Sequence, residues 1–141
     1  TAPKVEMLQR DAGSLDLRAI GILVIDDEPA IVMLLKRILA GAGHEVLTAG
    51  DGDVGLRIAG EEAVDLILSD LSMPGNPSGL QLLAAIRAAR PDCPLAVVSG
   101  YSNQDCIDDC RALGIRDFLP KPFEIMFVRT FVADILARPR S

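Results

Sequence analysis

Polar residues with distinct chemistry follow the short apolar runs of this chain. An acidic pair, a single aspartate, a serine and a lysine each end a different run; they are Asp26 with Asp27, Asp70, Ser99 and Lys121. Two carboxylates about 5 Å apart repel by roughly 3 kcal/mol at an effective dielectric of about 20, and a third increases the repulsion. A hard divalent cation relieves it, and an all-oxygen site with open water positions suits Mg²⁺, or Mn²⁺ as the alternative.

The elements that would position these residues are five rounds of strand and helix. Helical periodicity of apolar residues follows each strand, for example at Ile31, Leu34, Leu35, Ile38 and Leu39, between Pro29 and the glycines at 41 and 43. The predicted strands are 20–25, 46–49, 65–69, 95–98 and 117–119. The predicted helices are 29–41, 52–60, 80–90, 103–113 and 125–136.

Alternation of this kind predicts an α/β fold with a parallel sheet and helices on both faces. We expect a flavodoxin-like doubly wound five-stranded parallel sheet, and if its strand order is 2-1-3-4-5, strands one and three are neighbours where the order reverses. Ligands bind such sheets outside the strand ends, where the strand order reverses. Asp26 and Asp27 would then converge with Asp70, flanked by Ser99 and Lys121. An aspartate after a strand often only caps a helix or makes a turn. Five polar residues of these types, in this order after four different strands, favour a ligand-binding site instead.

Four motifs at these intervals resemble the receiver domain of bacterial two-component response regulators. They are ILVIDDE at 22–28, SDLSMPG at 69–75, VVSG at 97–100 and KPF at 121–123, and the resemblance covers about residues 20–137. It implies that Asp70 is the phosphoacceptor, which takes a phosphoryl group from the phosphohistidine of a histidine kinase or a histidine phosphotransfer protein. The function implied is a signalling switch in a phosphorelay.

The resemblance also implies the roles of the surrounding residues. Asp27, Asp70 and the backbone carbonyl of Ser72 would bind Mg²⁺ directly, and Asp26 would act through water. Lys121 would pair with the phosphoryl oxygens. Such a domain promotes only its own phosphorylation and dephosphorylation, so it is not an enzyme for outside substrates.

Ser99 and Phe118 would form the switch. The resemblance implies that the Ser99 hydroxyl donates to the phosphoryl group and that an aromatic residue turns inward behind it. Many members have tyrosine where this chain has Phe118, and ordinary core packing is the alternative for that ring. Tyr101 is predicted to shield the phosphoryl group from water.

Two further features of the sequence are open to interpretation. The loop at 73–79 is one residue longer than the commonest form. Phe123, Phe127 and Phe131 recur at every fourth position and predict a stripe that faces the core or an interface.

Three rival functions remain open. A metal-dependent phosphatase with an aspartyl nucleophile would typically carry a second aspartate where this chain has Ser72. A nucleotide or flavin module would need a glycine-rich phosphate loop after a strand, and none is present. The third alternative is a degenerate receiver that only docks partners. The intact set of acids, serine and lysine argues against it.

Composition narrows the class of protein. The 141 residues are half apolar and suit one domain, and the formal net charge of -6 disfavours contact with nucleic acid or an anionic membrane. Three cysteines, Cys93, Cys106 and Cys110, are expected to be reduced thiols in the cytoplasm. We assign no role to His44, the only histidine.

The organisation expected along the chain is a leader or linker at 1–18, a receiver domain at 19–138 and a tail at 139–141. The chain is expected to be a free-standing regulator, the receiver of a transcription factor or the receiver of a hybrid histidine kinase. The output domain or protein that it controls is unknown.

Overall fold

The computed structural model describes residues 21–71, 79–100 and 106–138, in which five strands alternate with five helices. The strands are β1 Gly21–Ile25, β2 Glu45–Ala49, β3 Leu66–Asp70, β4 Leu95–Ser99 and β5 Asp117–Pro120. The helices are α1 Pro29–Gly41, α2 Gly52–Glu61, α3 Gly79–Ala89, α4 Ile107–Ala112 and α5 Ile125–Leu136.

The strands form one parallel sheet in the order β2-β1-β3-β4-β5. This order confirms the predicted fold class and places the reversal of strand order between β1 and β3. Ile25 pairs with Ser69, and Asp70 pairs with Val98, so the carboxyl ends of β1, β3 and β4 meet at one edge of the sheet. The residues that end these strands are therefore close in space.

The sheet is buried on both faces because alternate residues of each strand enter two separate cores. Leu23 and Ile25 of β1 belong to a core that includes residues of α2, α3 and α4 on one face, whereas Ile22 and Val24 belong to a core that includes residues of α1 and α5 on the other. Each fully buried aliphatic side chain contributes about 2 kcal/mol relative to exposure. The nearly unbroken apolar runs in the sequence reflect this two-sided burial.

The helix ends follow local signals in the sequence. Pro29 occupies the first turn of α1, and Gly43 adopts a φ of 98° just after α1 ends. The Asp51 carboxylate caps α2 by accepting a hydrogen bond from the Val54 N–H at 2.9 Å. Gly55 lets α2 approach the sheet, because a β-carbon at this position would lie 2.6 Å from Cδ1 of Ile25.

Three strands, β3, β4 and β5, end one residue later than the sequence suggested. Asp70 and Ser99 are the last residues of β3 and β4, not the first residues after them. Backbone hydrogen bonds extend the ladder past the apolar run: the Leu71 N–H donates to Val98 at 3.2 Å, and the Lys121 N–H donates to Ser99 at 2.8 Å. Both side chains are consequently held by the sheet rather than by a loop.

Other predictions concern the helix α4, the termini and the membrane. The helix predicted at 103–113 is observed as α4, and residues 101–105 lie outside the described residues. The division at 18 and 138 stays a prediction. Within the described ranges, the helices are too short or too polar to cross a bilayer.

The cysteines and the histidine also differ in their surroundings. All three thiols are free, and burial raises the pKa of the Cys110 thiol, which leaves it weakly reactive. His44 is half-buried rather than fully solvated, and this burial lowers its pKa.

Candidate functional site

Three aspartates converge at the carboxyl edge of the sheet. Asp26 and Asp27 directly follow β1, Asp70 ends β3, and one carboxylate oxygen from each lies within 4.8 Å of the others. Asp26 and Asp70 are buried, with relative exposures of 1% and 2%, whereas Asp27 is exposed. The cluster therefore has a buried floor and one side open to solvent.

Lys121 places its ammonium group against this cluster. Its Nζ lies 3.6 Å from Oδ2 of Asp26 and 3.6 Å from Oδ1 of Asp70. A third carboxylate oxygen, Oε1 of Glu28, lies 3.5 Å away. These distances exceed the roughly 2.7–2.9 Å of a strong charge-assisted hydrogen bond, so the ammonium lies among the carboxylates without pairing tightly with one of them.

Asp26 is the most strongly perturbed acid among the described residues. Burial, together with the neighbouring Asp70 charge and partly opposed by a hydrogen bond from the Glu28 N–H to Oδ1 at 2.9 Å, raises the pKa of Asp26 to about 6. Its Oδ2 is buried and accepts no hydrogen bond from the described part of the chain. Leaving a buried carboxylate oxygen in this state is costly.

Two opposing effects set the charge of Lys121. Partial burial acts to lower the pKa of its ammonium, but the carboxylates of Asp70, Asp26 and Glu28 together raise that pKa above its ordinary value. Lys121 therefore stays protonated at neutral pH. It offsets one of the negative charges that converge on it.

The residues fit a hard divalent cation. The donor set consists of carboxylate oxygens only, which Mg²⁺ prefers, and the exposed Asp27 side leaves room for bound water. A cation near the buried Oδ2 of Asp26 would also relieve an oxygen that lacks a hydrogen-bond partner among the described residues. Ser72, predicted to contribute its carbonyl, lies outside the described residues, as does Tyr101.

Ser99 and Phe118 lie on one face of the sheet. Ser99 is 8% exposed and, by the alternation of β4, points to the same side as Val97, which pairs with Phe118. The half-buried Phe118 ring packs against the core beneath α4, and Cζ of Arg111 lies 5.6 Å from its centroid. The packing alternative for Phe118 is thus observed, and its role in a switch stays a prediction.

The phenylalanines of the predicted stripe differ in burial. Phe123 and Phe131 are half-buried against the core formed by α1 and α5. Phe127 is 47% exposed, and its ring centroid lies 6.3 Å from that of Phe131. The stripe therefore faces both the core and solvent.

Glu28 is the site residue that the sequence analysis missed. The signal available was its position directly after the acidic pair. The contact itself depends on a lysine more than ninety residues away, which local sequence does not reveal.

Comparison with known proteins places the fold and the site in one class, the receiver modules of two-component signalling. The family model described as the response regulator receiver domain matches residues 22–132. The chain belongs to this family, whose domains act as phosphoacceptor switches and bind Mg²⁺ at an acidic pocket such as the aspartate cluster seen here.

Individual relatives agree with this assignment. The DNA-binding transcriptional regulator NtrC of Salmonella typhimurium is 36% identical over 104 residues, which are 74% of this chain and 22% of NtrC. The crystal structure of the receiver domain of NtrX from Brucella abortus has a TM-score of 0.78 and 32% identity, and the match covers 84% of this chain and 99% of that one.

A third relative shares the architecture at lower identity. The CheY-like receiver domain protein from Methanospirillum hungatei has a TM-score of 0.79 and 27% identity, with 84% of this chain and 94% of that chain covered. The chain spans about a quarter of the length of the curated relatives that it matches.

Proposed function

We propose that this domain accepts a phosphoryl group on Asp70 from the phosphohistidine of a histidine kinase or a histidine phosphotransfer protein. One observation carries the proposal. The Asp70 carboxylate lies at the end of a central strand, within 4.8 Å of two other carboxylates and 3.6 Å from the Lys121 ammonium. A nucleophile and positive charge are thus presented together at an open edge of the sheet.

The transfer step needs positioning more than acid–base chemistry. An Asp70 carboxylate oxygen attacks phosphorus, the new P–O bond forms, and the P–N bond to the donor imidazole breaks; the imidazole nitrogen leaves with the electron pair. The Lys121 ammonium pairs with the phosphoryl oxygens. The β3 and β4 ladder holds the acceptor in place, since Asp70 pairs with Val98.

The proposed metal site comprises Asp27, Asp70 and the Ser72 carbonyl, with Asp26 acting through water. Bound Mg²⁺, or Mn²⁺, supplies positive charge to the phosphoryl oxygens. Support for this donor set comes from the three convergent carboxylates and from the buried Asp26 oxygen that lacks a hydrogen bond among the described residues.

Ser99 and Phe118 are proposed to transmit the phosphorylation state. Donation from the Ser99 hydroxyl to a phosphoryl oxygen would draw the end of β4 toward Asp70. The Phe118 ring lies on the same face of the neighbouring strand, so it can fill the space that Ser99 leaves. The surface around α4 would change as Arg111 follows the ring.

The wider context is proposed from the family. We propose that a separate output domain or protein reads the switch and that this domain itself does not contact DNA or membrane, in agreement with its net charge of -6. The relative NtrC is a DNA-binding transcriptional regulator. The whole protein could be a transcription factor, a hybrid histidine kinase or a free-standing regulator, because a receiver domain is compatible with each of them. We propose a cytoplasmic location, which the free thiols suit.

Mass spectrometry after incubation with acetyl phosphate and MgCl₂ tests the phosphoacceptor. We expect one added phosphate per chain, its loss in Asp70→Ala, and its retention in Asp53→Ala, which removes an exposed acid from the first turn of α2. Sustained release of many phosphates per chain would indicate a phosphatase instead. Equal labelling of Asp70→Ala and the native chain would overturn the assignment of Asp70.

A further inference from the structure

Glu28 links the acid cluster to the start of α1 through its backbone. Its N–H donates to Oδ1 of Asp26 at 2.9 Å, and its carbonyl accepts from the N–H groups of Ile31 and Val32 at 3.0 and 3.1 Å. The backbone of Glu28 is therefore fixed relative to the site. Its side chain is 62% exposed and approaches Lys121 from the solvent side.

The Lys121 ammonium is shared among three carboxylates at nearly equal distances. Asp26 and Asp70 lie at 3.6 Å with side-chain exposures of 1% and 2%, and Glu28 lies at 3.5 Å. Burial fixes the first two in place. Glu28 is the partner that can release the ammonium at least cost, because water is available to solvate its carboxylate.

We propose that Glu28 is a positioning residue that holds Lys121 toward solvent in the resting state and opposes arrival of the phosphoryl group. This inference rests on the proposed function of Asp70. The negative charge of Glu28 draws the ammonium away from the acceptor and repels the anionic phosphoryl oxygens. The same charge attracts a divalent cation. It therefore raises the affinity for the cation and lowers the rate of phosphoryl transfer.

Glu28→Gln separates these two effects. The amide side chain has nearly the same shape and leaves all three backbone hydrogen bonds of residue 28 in place, but it lacks the charge. Titration calorimetry with MgCl₂ should show about threefold weaker affinity, as expected for one partly screened charge. At saturating MgCl₂, the rate of Asp70 phosphorylation by acetyl phosphate should rise about threefold for the same reason.

Glu61→Gln is the matched control. Glu61 is 60% exposed and pairs with Arg57 at 3.6 Å, so it reproduces the exposure and ion-pair distance of Glu28 away from the site. This variant should leave both measurements unchanged. Glu28→Asp keeps the charge on a shorter side chain, and it should retain the native MgCl₂ affinity while it phosphorylates faster than the native chain.

The opposite signs distinguish positioning from damage to the structure. A distorted site would bind MgCl₂ more weakly and also accept the phosphoryl group more slowly, and that result, or values equal to those of Glu61→Gln, would overturn the role of Glu28. Absence of phosphorylation in the native chain would instead overturn the proposed function. The MgCl₂ titration would then still report whether the Glu28 charge reaches the acid cluster.

Discussion

Nζ of Lys121 lies 3.6 Å from Oδ1 of Asp70, although the strands β3 and β5 that position the two residues are not neighbours. Asp70 ends β3 and Lys121 follows β5, with β4 between them. The long lysine side chain therefore reaches across the end of β4, where Ser99 lies. The carboxyl ends of β3, β4 and β5 form one edge of the sheet, so a substitution at one strand end alters the electrostatic surroundings of the other two.

Replacement of this lysine should separate cation binding from phosphoryl transfer. In Lys121→Met the carboxylates lose a competing cation, so we expect MgCl₂ affinity to rise about tenfold. The rate of phosphorylation by acetyl phosphate should fall at least about tenfold, because the positive charge for the phosphoryl oxygens is lost. Titration calorimetry and time-resolved mass spectrometry measure the two quantities.

Lys36→Met provides the control for a general change in charge. Lys36 is an exposed lysine of α1 that lines a cavity with Asp26 and Asp27. Its removal should alter both quantities much less than removal of Lys121. Equal effects of the two substitutions would show that overall charge, not the position of Lys121, governs the site.

The buried Asp26 should make the metal-free protein less stable at neutral pH. Burial raises the pKa of Asp26 from 3.8 to about 6, so the folded state binds its proton more tightly than the unfolded state does. Its stabilising contribution is complete below pH 3.8 and is lost as the pH rises through about 6. Asp26→Asn should therefore unfold with a free energy about 3 kcal/mol higher at pH 7.5 in EDTA, since each pKa unit of the rise from 3.8 to about 6 corresponds to roughly 1.4 kcal/mol.

Urea titrations at several pH values test this difference. The excess in the free energy of unfolding of Asp26→Asn over the native chain should shrink as the pH falls through about 6 and disappear near 3.8. His44, whose pKa burial lowers, is present in both proteins and cancels from the comparison. A constant difference across this pH range would mean that Asp26 does not titrate as the geometry requires.

The fold and the candidate cluster could be predicted because both depend on local sequence patterns, namely the apolar runs and the polar residues at their ends. Apolar runs without alternation indicate strands buried on both faces, as the two cores on either side of β1 show. Strand order then brings Asp26 and Asp70 together, and no further information is needed. The alternation of strands with helices indicated a parallel sheet, and the expected order of its strands was one of the common doubly wound arrangements.

What the sequence did not reveal depends on side-chain contacts across the fold. The approach of Glu28 to Lys121 reflects where two distant loops meet at the sheet edge. The positions of Asp70 and Ser99 inside their strands reflect ladder hydrogen bonds that extend beyond the apolar runs. Neither feature has a periodicity or a composition that reports it.

The Ser99 hydroxyl should couple phosphorylation to the Phe118 ring. In Ser99→Ala we expect Asp70 to accept phosphate still, because the acceptor and Lys121 are unchanged, while the NMR signals of the Phe118 ring respond much less to phosphorylation. Ser99→Thr keeps the hydroxyl and should restore the response. An unchanged Phe118 response in Ser99→Ala would remove the hydroxyl from the switch.

Gly79 should control the position of Asp70 through a close backbone approach. A β-carbon on Gly79 would lie 2.0 Å from the carbonyl oxygen of Leu71, the residue directly after Asp70, so the backbone must shift to admit it. We expect Gly79→Ala to lower the free energy of unfolding by about 2 kcal/mol, the usual cost of overpacking, and to slow phosphorylation of Asp70. Urea denaturation and mass spectrometry measure these effects.

Gly60→Ala is the internal comparison for that substitution. Gly60 lies in α2, and a β-carbon there would meet nothing within 4 Å, so alanine should stabilise the helix by about 0.5–1 kcal/mol. The same chemical change is thus expected to act in opposite directions at two positions. Stabilisation by both substitutions would show that the segment after β3 yields without strain, and the approach of Leu71 to Gly79 would then not fix the acceptor.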